Sequence, residues 1–89
     1  MKQIVLDGST VTSMAELHRL LAESLDFPSW YGSNLDALHD CLTERNEETL
    51  LILHGSEHLA ESLGKSYASF CRVLSDSAEE NPCLNIQLL

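Results

Sequence analysis

Three short strand-like runs separated by long segments of helical pattern restrict this chain to few folds. Residues 2–7 alternate around Ile4 and Leu6 and stop at Asp7-Gly8. Thr49-Leu50-Leu51-Ile52-Leu53-His54 is a continuous apolar run ended by Gly55, the pattern of a strand covered on both sides or flanked by neighbours. Leu84, Ile86 and Leu88 then alternate with Asn85 and Gln87. A parallel pair of strands needs a crossover of a dozen residues or more, commonly helical. The spacing therefore predicts a parallel three-stranded sheet with right-handed crossovers and residues 49–54 as its central strand.

The segments between the strands supply four helices. Ser13 and Glu16 have capping-box spacing, and Met14, Leu17, Leu20, Leu21 and Leu25 form one stripe, so a first helix runs from about Ser13 to Leu25. Pro28 excludes helix around residues 26–32, leaving a loop with two large aromatics, Trp30 and Tyr31. Ser33 or Asn34 caps a second helix to Glu44, with Leu35, Leu38 and Leu42 along one side. Ser56 caps a short third helix containing Leu59 and Leu63 and ending at Gly64. Tyr67, Phe70, Cys71, Leu74 and Ala78 trace a longer fourth one, which Asn81-Pro82 breaks. The order is βααβααβ, an α/β fold in a single domain over residues 1–89, without repeats or a linker.

Charge narrows the function. Five Lys plus Arg against fourteen Asp plus Glu give a formal net charge of −9, which repels phosphates and disfavours direct nucleic-acid binding while attracting a basic partner. No apolar run approaches the ~20 residues a membrane span needs, and the first residues offer no secretory h-region. Cys41, Cys71 and Cys83 are odd in number and share no C-x-x-C spacing, so reduced, mostly buried thiols in a cytoplasmic protein are expected.

On the second helix, Leu35, Leu38 and Leu42 group on one side and Asp36 and Asp40 point nearly oppositely. Carboxylates at i and i+4 repel each other. Asp36 gains from the helix N-terminus, but Asp40 lies beyond its reach. Trp30 and Tyr31 directly precede this acidic helix, and aromatic anchors beside an acidic patch suit a protein interface.

At these residues, Trp30-Tyr31-Gly32-Ser33-Asn34-Leu35-Asp36-Ala37-Leu38-His39-Asp40-Cys41-Leu42-Thr43, the chain resembles the barstar family of intracellular ribonuclease inhibitors. The likeness extends to the Leu17-His18 pair and to Cys83 before the last strand. It implies a two-layer fold and a one-to-one complex with a small basic, guanyl-specific type of ribonuclease. Tyr31, Asn34, Asp36 and Asp40 match family residues that face the nuclease, with Asp40 in the place of the carboxylate occupying a substrate-phosphate site. Thr43 matches a flanking contact, Asp76 an outlying acidic one, and Trp30 and His39 complete the expected partner-binding set. The chain departs from the family pattern at His39, where a Trp is usual, and at Glu44-Arg45, where Gly-Trp is usual. Rim residues of this kind tune which partner fits, so an immunity or regulatory module for another basic toxin is the alternative.

An enzyme has little support. His39 and Cys41, at i and i+2 on one helix, do not face each other. His54 and His58 are separated by Gly55-Ser56, a turn signal that spoils a metal-binding helix face, and the four glycines match no phosphate-cradling motif. Neither a catalytic group, a metal nor a cofactor is expected.

Overall fold

The structure, a computed structural model, describes residues 1–89. Its elements run β1 (Lys2–Asp7), a 3-10 turn (Gly8–Thr10), α1 (Met14–Ser24), α2 (Leu35–Thr43), β2 (Thr49–His54), α3 (Ser56–Leu63), α4 (Lys65–Glu80) and β3 (Leu84–Leu88). The strands form one parallel sheet in the order β1-β2-β3, with Ile4 beside Leu51 and Leu51 beside Ile86. The central position of residues 49–54 and the parallel pairing are as their spacing predicts.

The sheet has one covered face. Ile4, Leu6, Leu51, Leu53 and Leu84 join Leu17, Leu21 and Leu25, Leu38 and Leu42, Leu59 and Leu63, and Phe70 and Leu74 in a single buried cluster. The alternate strand residues are open: Val5 is 58% exposed, Gln3, Asn85 and Gln87 are exposed, and Leu50 and Ile52 are only half-buried. Helices thus lie over one face, giving two layers. The continuous apolar run of β2 reflects its place between two other strands and not cover on both sides.

Local signals explain most element ends. The Ser13 hydroxyl accepts the Glu16 amide at 3.2 Å at the start of α1, and Asn34 Oδ1 accepts the Ala37 amide at 2.8 Å at the start of α2. Two details differ from expectation. Ser56 does not cap α3 but is its first residue; Gly55 holds the cap position with φ +71°, and its backbone lies so close to Ser9 of the 3-10 turn that a Cβ would clash. The three cysteines are half-buried where mostly buried ones were expected, although all three are free thiols.

Asn81 closes the fold behind α2. It is buried, donates from Nδ2 to the carbonyls of Leu42 at 2.9 Å and Arg45 at 3.0 Å, and accepts the Cys83 amide at 3.0 Å. The Leu42 carbonyl in the last turn of α2, which lacks a partner inside the helix, and the Arg45 carbonyl just beyond it are thereby tied to the entry of β3. No helix is long and apolar enough to cross a membrane.

Candidate functional site

The chemistry of α2 is divided between its two sides. Leu38 and Leu42 are fully buried, while Asp36 and Asp40 are exposed one turn apart on the outer side. Neither carboxylate has a cation within ion-pair distance or accepts a side-chain hydrogen bond from its own chain. An exposed pair of acids at i, i+4 is mildly destabilising to the helix that carries it.

The aromatic loop is held from beneath. Tyr31 is half-buried; its hydroxyl lies 2.6 Å from Nδ1 of His18 on α1, and its ring stands 4.8 Å from that of Phe27, tilted by 51°. Burial, with a smaller contribution from the Cys41 thiol, pushes the Tyr31 phenol up to about 12, so it remains un-ionised. Trp30 next to it is 78% exposed. The sequence offered both rings as anchors; the structure tucks Tyr31 inward and leaves Trp30 in solvent, beside a shallow hollow of about 230 Å³ lined by Leu25, Phe27, Pro28, Cys41 and Arg45 among others.

The remaining candidates fall on or next to this surface. Asn34 is exposed at the helix start, where its capping role occupies Oδ1 and its Nδ2 donates to the Gly32 carbonyl at 3.3 Å. The Thr43 hydroxyl donates back to the carbonyls of His39 at 2.8 Å and Asp40 at 3.2 Å. His39 is half-buried, and its Nε2 lies 3.1 Å from a carboxylate oxygen of Glu80 on α4. Asp76 is exposed on α4 one turn before Glu80, on the helix packed against α2. The structure therefore places Asn34, Asp36, His39, Asp40 and Thr43 along α2 and its start, Trp30 on the exposed loop before it, Asp76 on the neighbouring α4, and Tyr31 beneath the loop.

Sequence reasoning missed the Glu80 pairing, because contacts between residues on different helices leave no mark in spacing. It also read Glu44-Arg45 only as a departure from the family pattern. The Arg45 guanidinium turns inward, donating from Nη1 to the Leu25 carbonyl at 2.9 Å and from Nε to the Thr49 hydroxyl at 3.2 Å. It joins the end of α1 to the start of β2.

The cysteine on α2 is not activated. Burial, together with the charges of Glu44 and Asp40, pushes the Cys41 thiol above its ordinary range, the opposite of what a nucleophile needs. No group of three or more His, Cys, Asp or Glu side chains is placed to hold a metal.

His18 makes a testable contribution. It is only 4% exposed, and burial lowers its pKa below the ordinary 6.5. The unfolded chain then binds this proton more readily than the folded one, so stability is complete above about pH 6.5 and is lost as pH falls through the lower folded value. Asp7, whose carboxyl is held low by the Ser9 hydroxyl and amide, titrates in a more acid window. Urea midpoints measured from pH 7 to 5 should fall for the wild type and stay nearly level for His18→Gln.

The fold and the site define a two-layer α/β protein that turns an unpaired acidic helix face and an exposed tryptophan outward. Comparison with known proteins gives the family. Residues 1–87 match the family model described as "Barstar (barnase inhibitor)". The chain is 38% identical over 81 residues to a Bacillus subtilis (strain 168) protein named "Putative ribonuclease inhibitor YrdF", covering 90% of this chain and 89% of that one. The chain belongs to the barstar family, and its role is that of a ribonuclease inhibitor and not of an enzyme.

Proposed function

We propose that this inhibitor blocks the active site of a small basic ribonuclease of the guanyl-specific type, in a one-to-one complex, with α2 and the loop before it. The observation that carries the reading is the outward pair Asp36 and Asp40, exposed and without intramolecular partners in a family of ribonuclease inhibitors. A nuclease cleft is built to receive phosphates, and carboxylates offer the same negative charge and acceptor oxygens, which Arg meets bidentately. Asp40 takes the phosphate place, Asp36 supports it, Trp30 covers an apolar rim, and His39, Thr43, Asn34 and Asp76 border the contact. Tyr31 contributes mainly by fixing the loop. The three free thiols fit a reducing compartment, the cytoplasm.

Titration against a panel of small basic ribonucleases, including any encoded beside this chain, tests the reading. Inhibition should be complete at one equivalent. With a net charge of −9 against a basic cleft, association should exceed the roughly 10⁵–10⁶ M⁻¹s⁻¹ of an unsteered pair and slow markedly with added salt, while dissociation changes less. Absence of inhibition across the panel would leave a different basic toxin as the partner. Association rates that ignore ionic strength would show that the charge does not steer the encounter.

A further inference from the structure

The outer surface of α2 continues across its seam with α4. Between the two helices lies an open groove lined by Leu35 and Asp36 from α2 and by Ala68, Ser69, Arg72 and Val73 from α4. Leu35 and Val73 pack against the core and give the groove an apolar floor. Along α4 the charges run Arg72, Asp76, Glu80 at one-turn intervals, and Glu80 reaches His39 on α2.

Arg72 stands apart among the three arginines. Arg19 pairs with Glu23, and Arg45 is held by the Leu25 carbonyl and the Thr49 hydroxyl. Arg72 is exposed and has neither an ion pair nor a hydrogen bond, although Asp36 lines the same groove and Asp76 follows four residues later. A cation set among Asp36, Asp40, Asp76 and Glu80 weakens the attraction of this surface for a basic partner, so charge steering gives no reason for it.

We propose that Arg72 and the groove it borders determine specificity, by receiving an acidic side chain that the cognate ribonuclease carries at the edge of its basic cleft. The inference rests on the inhibitory reading of α2 given above. Four carboxylates on this surface attract any basic nuclease alike, and an element of opposite sign supplies a repulsive contact that discriminates among them. A nuclease presenting Lys or Arg at this point is repelled by Arg72; one presenting Asp or Glu gains a bidentate, planar pair over the apolar floor of Leu35 and Val73.

Arg72→Ala and Arg72→Glu, with Asp40→Ala alongside, test this by stopped-flow association and dissociation with the guanyl-specific ribonuclease that the wild type inhibits. Arg72→Glu removes one positive charge and adds one negative, taking the formal net charge from −9 to −11, and should therefore speed association. Loss of the pair should nevertheless accelerate dissociation about tenfold or more in both Arg72 variants, so that affinity falls although the inhibitor has become more acidic. Dissociation unchanged in both, or tighter binding by Arg72→Glu, overturns the proposal while leaving α2 as the inhibitory element if Asp40→Ala still loses affinity. A wild type that inhibits no ribonuclease, or an Asp40→Ala protein that binds as well as wild type, overturns the parent reading and this inference with it.

Discussion

Asp40→Ala should fold as well as the wild type, or slightly better, and lose about 2–5 kcal/mol or more of binding free energy to the ribonuclease, a range carried over from charge pairs within this same family. The stability half follows from the free structure. Asp40 is exposed, has no ion pair or hydrogen bond from its own chain, sits beyond the stabilising reach of the helix N-terminus and repels Asp36. The binding half follows from what the substitution would strand, because basic side chains of a nuclease cleft buried against alanine keep their charge and lose their counter-ion. Asp36→Ala should lose less, and Glu61→Ala on α3 almost nothing. Tyr31→Ala is a poor probe of contact, since it also removes the partner of His18 and the neighbour of Phe27. Thermal melts and titration calorimetry on these variants check both halves. A well-folded Asp40→Ala protein with wild-type affinity would refute the phosphate-mimic mechanism.

Two residues away on the same helix the expectation reverses. Leu38 is 0% exposed within the cluster that joins all four helices to the sheet, so Leu38→Ala removes buried methyl groups and leaves a cavity. Its cost should be about 2–5 kcal/mol, against a total of roughly 5–15 kcal/mol for a domain of ordinary stability. Urea unfolding should show a lowered midpoint with little change in slope. The fraction that remains folded should still inhibit one to one, because no atom of the outer face has changed. A Leu38→Ala protein as stable as wild type would mean that α2 is not seated on the core as described.

The contrast between these residues shows which parts of the molecule were legible in the sequence. The fold was, because the leucine stripes have clean periods and Ser13, Asn34 and Gly64 punctuate them where the helices begin and end. The outward direction of Asp36 and Asp40 follows from the same period. What could not be read are features set by contacts between elements: the inward turn of Tyr31 toward His18, the crossing of Glu80 to His39, and the use of Asn81 to close the end of α2. The Ser56 cap failed for a related reason. The close approach of Ser9 from a distant turn, and not local capping chemistry, decides the backbone at Gly55.

The clamp beneath the aromatic loop bears on the entropy of inhibition. With Tyr31 held by His18 and Phe27, and with Asn34 bracing Gly32 while it caps α2, the backbone carrying Trp30 and the first acidic turn is ordered when the protein folds. A loop free to wander would have to surrender that freedom on meeting the enzyme, at a cost subtracted from affinity. Here the surrender has already happened, and in the proposed complex the encounter would have to strip water from carboxylates that no intramolecular partner has to release.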